Sequence, residues 1–164
     1  MSELLFEIGT EEIPAGYSRP ALEAMREKLA ESLGWARLPI HGDVFANIRT
    51  FATPRRLAIA VTNLADRQLD VVVEKTGPPM SAAKDKDGNW TKAAIGFAKG
   101  QGVAVEDLTS LSTPKGDYVC ARRKEEGRAA AEVLPEILTR LVTQVPFPKS
   151  MRWLADDTRF ARPV

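Results

Sequence analysis

The sequence is poor in the residues that build metal sites, disulfides and nucleophilic centres. Its 164 residues include one cysteine, Cys120, and one histidine, His41. A single cysteine excludes a disulfide within the chain and fits a reducing compartment. One cysteine and one histidine are also too few ligands for a zinc site. Because Cys120 lies in a strand-like run and His41 in a loop-like one, no base is identified for a thiol nucleophile. We therefore expect no metal site and no catalytic residue here.

Strong net charge and long apolar runs are also missing. The formal net charge is +1, so no global field attracts nucleic acid or membranes, and any RNA contact has to come from a local patch. No apolar run approaches the roughly 20 residues that a membrane-spanning helix needs. The first residues do not follow the pattern of a signal peptide. Phosphate-binding and dinucleotide-binding glycine motifs are absent too. We expect a cytoplasmic protein.

The periodicity of apolar residues predicts an α+β fold. Leu4–Ile8 has the pattern of a buried strand, and an amphipathic helix is expected from Ser18 to Gly34. Two further strands, Val44–Ala52 and Leu57–Leu64, are expected to form an antiparallel hairpin. A second helix is predicted over about Ala129–Val142. Helices on one side of a mostly antiparallel sheet give a fold of ferredoxin-like character, with a small inserted lobe.

The distribution of glycine and proline suggests the domain boundaries. Both recur through residues 71–115, where one short helix is expected at about Thr91–Lys99, and we interpret this stretch as the inserted lobe. The predicted core is 1–70 together with 116–148, and it includes a strand at Tyr118–Lys124. Residues 149–164 are expected to begin another region of a longer chain. The sequence Asp85-Lys-Asp-Gly88 predicts a tight turn rather than a calcium loop.

Two adjacent arginines mark the connection between the hairpin strands. Pro54 biases Thr53 toward extended geometry and has no N–H for a central ladder, so the corner Thr53-Pro54-Arg55-Arg56 is a connection. Arginine presents a planar fork of donors that suits phosphate or carboxylate. Arg55 and Arg56 are therefore candidate anion ligands. The alternative is that both are simply solvated at a turn.

A second candidate patch lies near the end of the sequence. Lys149, Arg152 and Trp153 follow one another closely, and cations next to an aromatic ring can bind a phosphate backbone and stack on a base. The alternative is that Trp153 and Phe160 anchor the tail against a neighbouring domain.

Several motifs occur together in a fixed order. They are Leu5–Pro14 (LFEIGTEEIP), Ala52–Leu57 (ATPRRL), Gly77–Pro78, Thr91–Ala98 (TKAAIGFA) and Pro148–Trp153 (PKSMRW). With these motifs the sequence resembles the N-terminal region of the bacterial glycyl-tRNA synthetase beta subunit, over essentially all of its length.

The resemblance implies a role in tRNA recognition and assembly. It implies a longer beta chain, a separate alpha subunit that activates glycine with ATP and Mg²⁺, an α2β2 ligase and tRNA(Gly) as a partner. By itself this stretch would hold no cofactor and would be inactive. Within that role, Arg55 and Arg56 are the first candidate RNA ligands, followed by Lys149, Arg152 and Trp153. The alternative is a structural scaffold without RNA contact, in which the arginines make intramolecular ion pairs.

Overall fold

A three-stranded antiparallel sheet forms the base of the first part of the chain. The computed structural model describes residues 1–114, 116–152 and 159–161. Strands β1 (Ser2–Gly9), β2 (Ile48–Thr53) and β3 (Arg56–Leu64) lie in the order β1-β3-β2. β3 pairs with β1 on one side and with β2 on the other. The central position of β3 explains why its apolar residues are the most deeply buried of the sheet.

Two helices form the core with this sheet. Helix α1 spans Ala15–Trp35 and helix α4 spans Ala130–Gln144, and they contact each other. Each buries four residues at intervals of three or four, which places them on one face of the helix. These residues are Ala21, Met25, Leu29 and Leu33 in α1, and Ala130, Val133, Ile137 and Leu141 in α4. They share one core with Leu57, Ile59 and Val61 of β3. The predicted α+β class is confirmed.

Two predicted boundaries in this region were wrong. α1 begins at Ala15 rather than after Ser18, and Pro14, with φ near −54°, occupies the position before its first turn. β2 begins at Ile48 rather than Val44, because Asp43 folds the preceding residues into a turn. The Asp43 carboxylate accepts the Ala46 N–H at 2.9 Å.

A second sheet forms the inserted part of the chain. Strands β4 (Val71–Pro79), β5 (Thr109–Thr113) and β6 (Gly116–Glu125) lie in the order β4-β6-β5. Its other elements are α2 (Met80–Ala83), α3 (Lys92–Gln101) and a 3₁₀ turn at Val105–Asp107. The core cluster of this unit consists mostly of alanines, with two larger side chains: Ala83, Ala94, Ala98, Leu108, Val119 and Ala121.

The inserted unit ends at residue 126, later in the chain than the end at 115 predicted from glycine and proline content. The chain divides into two compact units, Met1–Leu69 with Gly127–Val164, and Asp70–Glu126. The strand expected in the core at 118–124 belongs to β6, which pairs with β4 from Val71 to Pro79 and with β5 from Thr109 to Thr113. Strand pairing, which sequence periodicity does not report, therefore places the end of the insertion at 126 rather than 115.

The described part of the tail packs on the first unit. β7 (Met151–Arg152) pairs with β8 (Arg159–Phe160). Phe160 is 4% exposed, belongs to the core of the first unit and meets the Phe147 ring edge-on at 4.9 Å between centroids. Phe160 therefore anchors the tail, but on the core of its own unit. None of the helices in the described ranges has the length and apolar character that a membrane crossing requires.

The two segments that flank the insertion are joined as a short ribbon within the first unit. The Gln68 N–H donates to the Arg128 carbonyl at 2.9 Å, and the Ala130 N–H donates to the Asp66 carbonyl at 2.8 Å. Between them the backbone of Gly127 passes so close to Gln68 that an added Cβ would lie 1.9 Å from the Gln68 carbonyl oxygen. Only glycine fits at this crossing.

Gly127→Ala should therefore destabilise the protein by more than about 2 kcal/mol, because the backbone of the ribbon would have to separate. Thermal or urea unfolding measures the change. Gly34→Ala is the matched control, because its Cβ would meet nothing within 4 Å and alanine is the better helix former by about 1 kcal/mol. Equal stability of the two variants would contradict the tight crossing.

Candidate nucleic-acid interface

The β2–β3 corner is held by the loop that joins β1 to α1. The Thr10 N–H donates to the Arg55 carbonyl at 3.0 Å, and the Ile13 N–H donates to the Pro54 carbonyl at 2.7 Å. Thr10 is 1% exposed, and its hydroxyl has no partner among the described residues. Backbone hydrogen bonds at both ends of the loop fix the corner. The backbone positions of its two arginines therefore do not depend on their side-chain contacts.

Both corner arginines pair with carboxylates of the β1 strand and the loop after it. Arg55 Nη2 lies 3.2 Å from Glu11 Oε2, and Arg56 Nη1 lies 3.2 and 3.4 Å from the two carboxylate oxygens of Glu7. The arginine side chains are 62% and 57% exposed. Pairs this exposed contribute little to stability. Because a guanidinium carries five N–H donors, each arginine keeps donors that its carboxylate does not use.

The tail candidates lie on the same unit. Lys149 lines a depression of about 330 Å³ together with Pro14, Tyr17, Met151 and Ala161. Arg152 is exposed and faces Arg159 across the β7–β8 pair. The predicted ligand Trp153 lies outside the described residues. The structure thus places Lys149 beside the start of α1.

A cationic surface that the sequence motifs do not indicate lies along β2. Phe45 is 50% exposed and Phe51 is 53% exposed. With Arg26 and Arg49 they line a depression of about 470 Å³. A sequence signal exists, since two phenylalanines flank Arg49, but the sequence predicts only a strand over Val44–Ala52. The exposure of the rings is therefore visible only in the structure.

The basic end of β6 is compensated within its own sheet. Arg122 Nε lies 2.7 Å from Glu74 Oε1, and Lys124 Nζ lies 2.8 Å from Asp70 Oδ2. Arg123 pairs with Glu125. Each cation of the run 122–124 therefore has a carboxylate beside it, and the run presents no excess charge to a ligand.

The predicted turn in the inserted unit is confirmed. The Asp85 carboxylate accepts the N–H groups of Asn89 at 2.8 Å and Asp87 at 3.0 Å, and Gly88 has φ of +85°. The backbone N–H of Asn89 is the main cause that lowers the pKa of Asp85. Within the described ranges no group of three or more histidine, cysteine or acidic side chains is arranged to hold a metal ion.

Comparison with known proteins gives a consistent family. The family model described as "Glycyl-tRNA synthetase beta subunit" matches residues 4–164. The glycine–tRNA ligase beta subunit of Geobacter metallireducens is 52% identical over 164 residues, which is 100% of this chain. Those of Geobacter sulfurreducens and Syntrophus aciditrophicus are 51% and 47% identical over 99% of it. The chain spans 23% of the length of each of these relatives.

These matches place the chain among the aminoacyl-tRNA synthetases. Within that class, it belongs to the family of glycyl-tRNA synthetase beta subunits. Two of the motifs that carry the resemblance in sequence meet at one place. The Leu5–Pro14 and Ala52–Leu57 motifs form the loop and the corner that are hydrogen-bonded together.

The ion pairs at the corner should contribute little to folding. Arg56→Gln and Glu7→Gln are each expected to change the free energy of unfolding by less than about 1 kcal/mol, because both partners are exposed to water. A double-mutant cycle in urea measures the coupling between them. A coupling energy above about 2 kcal/mol would contradict this expectation and would make the pair a main structural element.

Proposed function

We propose that this chain is a tRNA-binding and assembly part of a cytoplasmic glycine–tRNA ligase. A separate alpha subunit activates glycine with ATP and Mg²⁺, and the two kinds of subunit assemble as α2β2 around tRNA(Gly). This chain supports aminoacylation without a cofactor of its own and is inactive alone. Family membership supports the proposal, since the relatives are named as beta subunits of a ligase.

The observation that carries the RNA-binding role is the exposed pair of guanidinium groups on a fixed corner. Arg55 and Arg56 present N–H donors to solvent from a connection that is bonded to the loop at 10–13. Arginine keeps its charge and can exchange a carboxylate for a phosphate without a proton transfer. Lys149 and Arg152 are the next candidate phosphate ligands, followed by Trp153.

One observation favours the alternative of a scaffold without RNA contact. Glu11 and Glu7 already sit within 3.2 Å of the two guanidinium groups. If these pairs persist in the assembled ligase, the corner only joins β1, β2 and β3. Because exposed pairs are weak and exchange readily with other anions, we take RNA binding as the proposed function and the scaffold as the second candidate.

Replacing both corner arginines tests whether the corner binds RNA or serves only as a scaffold. Arg55→Gln/Arg56→Gln should weaken binding of tRNA(Gly), and the slope of log affinity against log salt should become shallower by about one for each lost phosphate contact. Filter binding or fluorescence anisotropy over a salt series measures both effects.

Arg19→Gln is the control for a general loss of charge. Arg19 is 89% exposed on α1 and paired with Glu23 at 3.0 Å, so the same kind of ion pair is removed away from the corner. The tRNA affinity of this variant should match that of the unaltered chain. A corner variant that binds tRNA with an unchanged slope, while assembly with the alpha subunit falls, would establish the scaffold instead.

A further inference from the structure

In the described part of the first unit, the helices α1 and α4 share their core with one face of the sheet. Register places Arg49 of β2 opposite Ala60 of β3, and Phe51 opposite Ala58. Side chains of directly paired residues lie on the same face of a sheet. The apolar residues that alternate with these alanines, Leu57, Ile59 and Val61, belong to the helix-covered core. Arg49 and Phe51 therefore point away from the helices.

Small residues of the central strand lie beside Phe51 on this face. Ala58 and Ala60 are the small residues of the central strand, and the side chains next to them on β2 are long. The Phe51 ring is 53% exposed, whereas Ala58 beside it is only 8% exposed. An aromatic ring beside a row of small residues offers a flat surface of the kind on which a base can stack.

The turn before β2 adds a second ring. The turn that the Asp43 carboxylate stabilises brings Phe45 to the same depression as Phe51. Arg26 fixes this ring from α1: its guanidinium carbon lies 5.2 Å from the ring centroid, and its Nη2 donates to the Phe45 carbonyl. Phe45 is thus held in a half-exposed position rather than folded onto the core.

The charge of this depression is positive and uncompensated. Among the described residues no carboxylate lines it, and neither Arg26 nor Arg49 has an ion pair with a carboxylate there. Among the described residues, no group accepts a hydrogen bond from the buried Arg26 Nε. The contrast with Arg55 and Arg56 is clear, since both of those have a carboxylate beside them.

We propose that this surface, made by Arg26, Phe45, Arg49 and Phe51, binds an unpaired nucleotide of an RNA strand. Phe51 stacks on the base, and Arg49 binds a neighbouring phosphate. Arg26 holds Phe45 as the second wall and adds positive charge. The inference rests on the proposed tRNA-binding function and names a ligand surface in addition to the corner.

The chemistry favours RNA over a protein partner. A site for a polyanion needs cations without competing carboxylates, and a site for bases needs exposed rings. Both conditions are met at this depression. The same face continues toward the corner, where Arg56 is opposite Thr53 and pairs with Glu7, a carboxylate that lies opposite Ala58 on this face. One RNA strand that follows this face would meet Arg49, Phe51 and Arg56 in turn.

Substitutions at Phe51 separate stacking from simple apolar contact. Phe51→Tyr keeps an aromatic face and should bind tRNA(Gly) within about twofold of the unaltered chain, whereas Phe51→Leu should bind about fivefold or more weakly. Arg49→Gln should weaken binding of tRNA(Gly) and make the slope of log affinity against log salt shallower by about one. Equilibrium binding of a tRNA(Gly) transcript over a salt series measures all three, with Arg19→Gln as the charge control. Thermal unfolding checks that each variant is folded, and exposure of both residues favours intact folds.

The outcomes distinguish the two proposals. If the unaltered chain does not bind tRNA, the proposed function fails and this inference fails with it. If it binds, but Phe51→Leu and Arg49→Gln bind equally well, only this inference is overturned. If Phe51→Leu keeps full tRNA affinity but loses affinity for the purified alpha subunit, the surface is a protein interface and the inference is wrong. Loss with leucine and retention with tyrosine supports it.

Discussion

Two backbone hydrogen bonds connect the parts of the first unit that matter most for function. They run from Thr10 and Ile13 to the carbonyls of Arg55 and Pro54. Since Ile13 lies just before α1, these bonds fix where the first helix begins relative to the hairpin. They also fix the direction in which Arg55 and Arg56 leave the backbone. The ion pairs to Glu11 and Glu7 then act on side chains that the backbone has already placed, which is why exposed and individually weak contacts suffice there.

Alternation of side chains along β3 gives the first sheet two different faces. The face of β3 that carries Leu57, Ile59 and Val61 forms the core with α1 and α4. The opposite face carries Arg56, Ala58 and Ala60 of β3, with Arg49 and Phe51 of β2 beside the two alanines. Alternation along a strand makes this division inevitable once one face is buried. The inserted unit contributes its own sheet, in which the basic residues of β6 are paired with carboxylates.

Local periodicity is sufficient to predict the two long helices and the fold class. The stripe at Met25, Leu29 and Leu33 belongs to α1, and the stripe at Val133, Ile137 and Leu141 belongs to α4. Pairing between distant segments is not predictable in the same way. The pattern of β6 is compatible with a place in the core, because a strand's own sequence does not show which partner it will have. Its partners β4 and β5 make it the centre of the inserted sheet.

The candidate site likewise contains residues that the sequence indicates and residues that it does not. Arg55 and Arg56 can be found from sequence, since adjacent arginines after a proline are a local signal. Their carboxylates cannot, because Glu11 and Glu7 lie 44 and 49 residues away in the chain. The exposure of Phe45 and Phe51 cannot be predicted from the sequence, for another reason. An apolar run does not reveal that a turn at Asp43 interrupts it, nor which of its residues face the covered side of the sheet.

The central claim is that the open face of the first sheet, from Arg56 to Arg49, is the RNA-binding side. Amide hydrogen exchange of the chain with and without tRNA(Gly) tests it most directly. Binding should slow exchange in the segment 44–56 and leave the helix 130–144 unchanged, because that helix packs on the opposite side of the unit. Slower exchange confined to 130–144, or no change in 44–56 when tRNA is bound, would contradict the account.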